Sequence, residues 1–306
     1  MTNRRVILKA LATTGVILGL PTIGSAQAIF SSTDLGGGLT LLSGAGSNVV
    51  IAVGADSVVV VNGGAEANAA ALLAEINRIS GNLPISALFN TNWRAEHCGL
   101  NALLGAQDVP IIAHENTRLW QGADFYVDWQ DKSYLPMPAA ARANRTFYKT
   151  DSMTFGNEII EYGFVSQATT DGDIYVHFTK ANVLVVGDMV GGESYPLLDY
   201  VTGGWISGAQ KTTAALVARA NADTKVIAAS GGLLGLDKLQ AQATMLDHAY
   251  TKVAEAFKTG RSLQQFQDAD PMQEFNAQWG DPRLFLALLY KGTWYHVPGR
   301  AVPGII

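Results

Sequence analysis

The sequence predicts an α/β protein in which two β-sheets pack face to face between outer layers of helices, a four-layer αββα sandwich. Two observations predict this architecture. Segments with strand and helix patterns alternate twice along the chain, and the first half opens with two β-branched runs, 48–53 and 58–64, joined by a polar turn that contains glycine. A single doubly wound sheet fits the same periodicity, so the pattern alone leaves that alternative open.

The elements of the first half follow from local patterns. The run 58–61 consists of valines without polar alternation, which is typical of a strand buried on both faces. The Ala/Leu-rich segment 65–79 has apolar residues at helical spacing, and Gly81 ends it. The next predicted elements are a strand at 84–89, a loop at 90–99, a short strand at 109–113 and a helix start at 114–120.

An irregular segment at 122–143 then interrupts the regular pattern. It is rich in aromatic residues and proline, which predicts a surface loop over a site. Its aromatic side chains fit either a cleft for an apolar ligand or the loop's own small core. Strands are predicted within 145–165, 173–178, 183–186 and 226–229, helices at 211–220 and 236–257, and shorter helices in the tail.

The first 28 residues have the pattern of a twin-arginine signal peptide. Arg4 and Arg5 precede an apolar stretch that ends at Leu20, and small residues up to Ala28 suit cleavage. The alternative is an ordinary N-terminal membrane anchor, but the stretch is shorter than the roughly 20 residues that span a bilayer. We therefore expect a periplasmic or secreted protein without a stable membrane span after cleavage.

Residues 29–306 are expected to form a single domain whose C-terminal part, from about 236, is a helical extension. Without the three basic residues of the leader, 18 basic residues face 26 acidic ones, a net charge of −8. That negative charge argues against binding to nucleic acid and against docking on an anionic membrane. It favours a small molecule as substrate or ligand. The only cysteine, Cys98, cannot form an internal disulfide.

Five segments carry the functional signal by their order along the chain. They are the hairpin 48–64 that ends near Asn62, the loop Asn92-Trp93-Arg94-Ala95-Glu96-His97 after a strand, the segment 167–173, the strand 181–187 that runs into Asp188, and the strand 226–229 that runs into Ser230. In this order the chain resembles the metallo-β-lactamase superfamily, from about residue 48 to about residue 257.

The resemblance implies a particular metal chemistry. In that family the loop usually reads His-x-His-x-Asp-His and, with later His and Asp ligands, it holds two zinc ions. The two ions activate a water molecule that attacks an ester, amide, thioester or phosphoester.

This chain departs from the family pattern at most ligand positions. Asn92 and Arg94 replace the first two histidines, and Glu96 replaces the aspartate. Thr169 and Ser230 stand where the family has its later histidines. Only His97 and Asp188 are kept, so the first metal subsite lacks its imidazoles. We expect Asn92, Thr169 and Ser230 to line a pocket at the former ligand positions.

Two interpretations of the remaining residues compete. In one, Glu96, His97 and Asp188 hold a single zinc or another divalent transition metal. In the other, no metal binds, and Arg94 replaces it as an internal counter-ion that pairs with Asp188 or Glu96.

Each interpretation predicts a function. The first is a hydrolase for an unknown ester, amide or lactone, with at most one metal ion, in which Asp188, His97 and Arg94 are the catalytic residues. The second is a non-catalytic periplasmic binding protein that uses the same cleft. Nucleophilic chemistry at Cys98 without a metal is a third hypothesis.

Overall fold

The structure, a computed structural model, describes residues 30–294, so the predicted leader at 1–28 lies outside the described residues. The strands are β1 (Ser31–Gly36), β2 (Leu39–Ser43), β3 (Val49–Val53), β4 (Val58–Val61), β5 (Ile85–Phe89), β6 (Ile111–His114), β7 (Phe125–Val127), β8 (Lys132–Tyr134), β9 (Arg145–Phe147), β10 (Thr150–Phe155), β11 (Glu158–Gly163), β12 (Tyr175–Phe178), β13 (Val183–Gly187) and β14 (Lys225–Ala228). The α-helices are α1 (Ala69–Ser80), α2 (Asn101–Gly105), α3 (Glu115–Gln121), α4 (Ile206–Arg219), α5 (Leu236–Lys258), α6 (Leu263–Asp268), α7 (Asn276–Trp279) and α8 (Arg283–Trp294).

Two large sheets organise these strands. The first has the order β1-β2-β3-β4-β5-β6-β9, and the second has the order β10-β11-β12-β13-β14. β3 and β4 form the predicted antiparallel hairpin, and β4, β5 and β6 are parallel neighbours. β13 and β14 are also parallel, so the chain that leaves each of them emerges at the same edge of the second sheet.

Three apolar clusters define four layers. One lies between the two sheets and joins β2–β5 to β11–β14. A second packs α1 and α2 on the outer face of the first sheet, and a third packs α4, α5, α6 and α8 on the outer face of the second. In β4, Val58 and Val60 face the helices, whereas Val59 and Val61 face the other sheet. The four-layer prediction is confirmed, and a single doubly wound sheet is excluded.

The helices after residue 236 belong to the same core as the second sheet. Leu246 of α5 and Leu288 of α8 are buried in the cluster that also contains Leu184 and Val226. This packing explains why apolar residues recur at helical spacing along the 23 residues of α5. Among residues 30–294, no helix is both long and apolar enough to cross a membrane.

Candidate functional site

The loop after β5 is fixed at its start by a pair of polar contacts. The side-chain oxygen of Asn62 accepts hydrogen bonds from Thr91 N at 3.0 Å and from Thr91 Oγ1 at 2.9 Å. Gly187, at the end of β13, lies against the same threonine: a Cβ there would come within 2.5 Å of Thr91 Oγ1. Glycine also suits its φ of 55°. This close approach brings the loop and Asp188 together.

Asp188 lies at the centre of the site and accepts from several donors through one oxygen. His97 Nε2 lies 2.7 Å from Asp188 Oδ2, and Asn92 Nδ2 lies 3.0 Å from it. Arg94 Nε is 3.4 Å from the same oxygen. A carboxylate accepts hydrogen bonds and does not donate them, so His97 carries its hydrogen on Nε2. Three of the predicted site residues therefore converge on the fourth.

Arg94 joins Asp188 to Glu96 and is largely buried. Its Nη2 lies 3.7 Å from Glu96 Oε1, and only 12% of its side chain is exposed, against 43% for Glu96. In the described part of the chain, Nη1 of Arg94 is buried and has no hydrogen-bond partner. The guanidinium therefore occupies the interior of the site, and Glu96 lies at its rim.

The charges of this group stabilise one another. Burial acts to raise the pKa of Asp188, but His97, Arg94 and Asn92 outweigh it and hold that pKa below its ordinary value. Burial acts to lower the pKa of Arg94, yet Asp188 and Glu96 raise it overall. Asp188 is thus an anion with compensating donors, as a carboxylate removed from water requires.

A second buried carboxylate, Asp173, adjoins the group and was not identified from the sequence as a site residue. Asn92 Nδ2 donates to Asp173 Oδ1 at 3.1 Å as well as to Asp188, so one amide bridges both carboxylates. Asp173 Oδ2 accepts from Thr170 N at 2.6 Å. Burial raises the pKa of Asp173 to about 7. The sequence signal is the pair of aspartates on either side of Gly172, a pattern that is also typical of a turn.

The raised pKa of Asp173 predicts a pH dependence of stability. Between its ordinary pKa of 3.8 and about 7, the folded chain holds a proton that the unfolded chain has lost, so the free energy of unfolding falls as pH rises. The full penalty, above pH 7, is at most roughly 4 kcal/mol. We expect Asp173→Asn to gain stability relative to the wild type between pH 5 and pH 8 in urea titrations. A difference between the two proteins that stays constant over this range would contradict the assignment.

The two remaining pocket positions differ in their placement. Thr169 is buried, and its Oγ1 donates to the main-chain oxygen of Asp188 at 2.9 Å, so it helps to fix the backbone of Asp188. Ser230 is exposed, and its main-chain oxygen lies close to Gly192. A Cβ added to that glycine would come within 2.3 Å of this oxygen. Thr169 therefore joins the group around Asp188, whereas the contacts of Ser230 are with the loop after β13.

Cys98 lies inside the protein, away from any position suited to nucleophilic attack. Its thiol points to the main-chain oxygens of Asn92 and Trp93 and receives a hydrogen bond from Gln121 Nε2 at 3.4 Å. Burial raises the pKa of Cys98 to about 12. The thiolate is the reactive form, so these surroundings argue against the third hypothesis.

The aromatic segment 122–143 forms a small antiparallel hairpin, β7–β8, over the loop that carries Arg94. Trp93 is buried and packs edge-on against both Phe125 and Tyr134, with ring centroids 4.9 Å apart in each case. Trp129 Nε1 donates to Asp199 Oδ1 at 2.8 Å. The segment thus makes its own aromatic core with Trp93, while Tyr126 and Leu135 stay exposed on its outer side.

Comparisons with known proteins identify the family of this chain. The sequence profile of the metallo-beta-lactamase superfamily matches residues 42–231, well over half of the chain. The chain therefore belongs to the metallo-beta-lactamase superfamily. The match ends before α5, so the helices after residue 236 lie beyond the family region. No curated protein sequence matches the chain.

Solved structures of metallo-beta-lactamases share the fold. The crystal structure of DIM-1 metallo-beta-lactamase superposes with a TM-score of 0.58 at 14% identity, over 72% of this chain and 98% of that one. The metallo-beta-lactamase from Pontibacter korlensis gives a TM-score of 0.58 at 16% identity, over 72% and 99%. The structure of TMB-1 gives a TM-score of 0.56 at 14% identity, over 72% of this chain and 98% of that one. At such low identity the likeness concerns the fold alone.

The zinc centre that the family implies does not fit the side chains of this site. Asn92, Arg94 and Thr169 stand at three imidazole positions, and the guanidinium is a permanent cation that repels a metal ion. Nε2 of His97 is hydrogen-bonded to Asp188, so a metal ion would have to displace this bond and its hydrogen before the nitrogen could coordinate it. Within residues 30–294, no group of three or more His, Cys, Asp and Glu side chains is arranged to hold a metal. Binding of one metal by Glu96, His97 and Asp188 stays a prediction that this arrangement does not support.

Proposed function

We propose that the chain is a metal-independent member of the superfamily that binds a small molecule without hydrolysing it. One observation carries the proposal: Arg94, His97 and Asn92 all approach the same oxygen of Asp188 within 3.4 Å. In the family this aspartate bridges two cations. Here a guanidinium supplies the positive charge from within the chain.

The same contacts argue against proton transfer by the site. A general base needs a pKa near the working pH, and that of Asp188 is lowered by its partners. His97 is equally unsuited, because Nε2 is bonded to Asp188 and Nδ1 is buried without a partner among the described residues. Neither group can therefore take a proton from a water molecule at the surface of the site.

Binding at this place is supported by the rim of the site. Glu96 is 43% exposed beside the nearly buried Arg94, and the β7–β8 hairpin packs on Trp93 in the same loop. A cleft with apolar walls and a few polar groups is the usual form of a small-molecule site. The twin-arginine pattern at the N-terminus supports export, and we propose a periplasmic or secreted location.

The second candidate function is a hydrolase without a dimetal centre, acting on an ester, amide or lactone. The observation that favours it is the exposure of Glu96, whose side chain is 43% exposed against 16% for Asp188. Glu96 would take the proton from water, and Arg94 would stabilise the oxyanion. Its weakness is that the Glu96 carboxylate already pairs with Arg94, at 3.7 Å.

A panel of p-nitrophenyl esters, lactones and β-lactams tests the proposal. We expect some of these compounds to raise the melting temperature of the mature protein, and no compound to be hydrolysed faster than in buffer. Glu96→Gln and His97→Ala are the comparison variants, with Glu75→Gln on α1 as a matched surface control. Turnover by the wild type that either site variant abolishes, and the control keeps, would establish the hydrolase instead.

A further inference from the structure

A cavity lies at the opposite end of the sandwich from Asp188. It has a volume of about 790 Å³ and opens between the two sheets, where the β1–β2, β3–β4 and β10–β11 turns meet the starts of β13 and β14. The five residues of β13 run from Ala181, in its wall, to Asp188, which places the two sites on the order of 16 Å apart at roughly 3.3 Å per strand residue. The volume falls within the range of small-molecule sites.

The floor of this cavity is the apolar core between the sheets. Leu35, Leu39 and Ala52 line it and are members of the inter-sheet cluster, against which Phe155 and Ala181 also pack. An alkyl chain that entered the cavity would therefore lie against the partly buried side chains of Phe155 and Ala181, which cover this core. Burial of its methylene groups would supply the binding free energy.

The mouth of the cavity carries two lysines without carboxylate partners. Lys180 is exposed and Lys225 is half-buried, and in the described part of the chain neither lies within ion-pairing distance of an acidic side chain. Lys225 Nζ donates to the main-chain oxygen of Leu35, which uses one of its three hydrogens. On a chain with a net charge of −5, this is a local positive region.

The one carboxylate in the lining is already satisfied. Glu158 accepts hydrogen bonds from the main-chain nitrogens of Lys180 and Ile159 at 2.8 Å and of Ala181 at 2.9 Å. These bonds fix the turn between β12 and β13 and offset the negative charge at the wall. The lysine side chains remain the groups free to meet a ligand.

We propose that this cavity binds an amphipathic monocarboxylate, with its alkyl chain between the sheets and its carboxylate at Lys180 and Lys225. The apolar floor of the cavity would bind the alkyl chain of the ligand, and the two unpaired lysines would bind its carboxylate. This site is separate from the cleft at Asp188 and does not depend on the function proposed there.

Calorimetric titration of the mature protein with monomeric decanoate tests the site. We expect saturable binding of one decanoate per chain and weaker binding of 1-decanol, which lacks the charge. Ala181→Phe fills the cavity and should weaken decanoate binding by at least about tenfold, since lost contact with about two methylene groups suffices for that. Lys180→Glu should weaken it by about fivefold, in a salt-dependent manner.

Lys211→Glu, on the exposed side of α4, is the matched charge control and should leave the affinity unchanged. Lys180 is exposed, so its variant tests the site even where Ala181→Phe does not fold. The proposal is wrong if decanoate does not bind, or if Lys180→Glu and Lys211→Glu bind it equally. It is also wrong if the protein sediments with vesicles of phosphatidylcholine and phosphatidylglycerol but does not bind monomeric decanoate, because the lysines would then mark a membrane contact.

Discussion

Replacing Arg94 by alanine is expected to lower the free energy of unfolding by roughly 2–3 kcal/mol. Removal of one partner from a buried ion pair costs about 3–5 kcal/mol, since the other charge stays buried without compensation. Asp188 is 16% exposed and keeps its bonds to His97 and Asn92, so the expected loss is smaller than that range. Urea titration of the mature protein at pH 7 measures it.

A matched surface pair provides the control for this loss. Arg118 pairs with Glu115 on α3 and is 41% exposed, so Arg118→Ala should cost less than about 1 kcal/mol. The double variant Arg94→Ala, Asp188→Asn should lose less than the sum of its single variants, because removing both charges leaves none unpaired. Strictly additive losses would show that Arg94 does not act on Asp188.

Replacing Arg94 by histidine is expected to create zinc binding. The change removes the internal cation and adds an imidazole at a position where the family has a ligand, beside Glu96, His97 and Asp188. We expect Zn²⁺ to raise the melting temperature of Arg94→His and to leave that of the wild type unchanged. At a free zinc concentration one hundred times the Kd, the gain in stability would be about 2.7 kcal/mol.

Two variants separate a rebuilt site from adventitious binding. Arg118→His adds a histidine on the surface and should show no zinc-dependent shift. Asp188→Asn in the Arg94→His background should abolish the shift, since the anionic ligand is lost. If zinc stabilises the wild type as much as Arg94→His, then Arg94 does not take the place of a metal ion in this chain.

The fold was predictable where burial follows local pattern. The valines of β4 carry no polar alternation because both faces are covered, and the structure shows both faces buried. β1 was not predicted: its sequence is mostly polar, only Leu35 is buried, and it is a strand because β2 provides its hydrogen bonds. α4 starts at Ile206 and not at 211, because tertiary packing overrides the weak helix preference of Gly208. A Cβ there would lie 1.5 Å from the main-chain oxygen of Gln167.

The grouping of Asn92, Arg94 and His97 around Asp188 was predictable from the sequence, but the rest of the group and its contacts only in part. A cation in place of a metal ligand predicted that Arg94 pairs with Asp188 or Glu96, and it lies 3.4 Å from Asp188 and 3.7 Å from Glu96. The role of Asp173 depends on a hydrogen bond to Asn92, 81 residues away along the chain. No local pattern encodes such a contact. Ser230 was predicted from its position after the strand 226–229, which gives no information on the conformation of the loop that follows.

The metal content of the mature protein tests the central claim most directly. The account predicts that mass spectrometry of protein purified without chelator finds zinc, iron and manganese only at background level, and that EDTA leaves the melting temperature unchanged. Arg94 would then supply the positive charge at Asp188. One equivalent of metal per chain, removed by EDTA together with a fall in the melting temperature, would contradict the account and restore the metal-dependent interpretation.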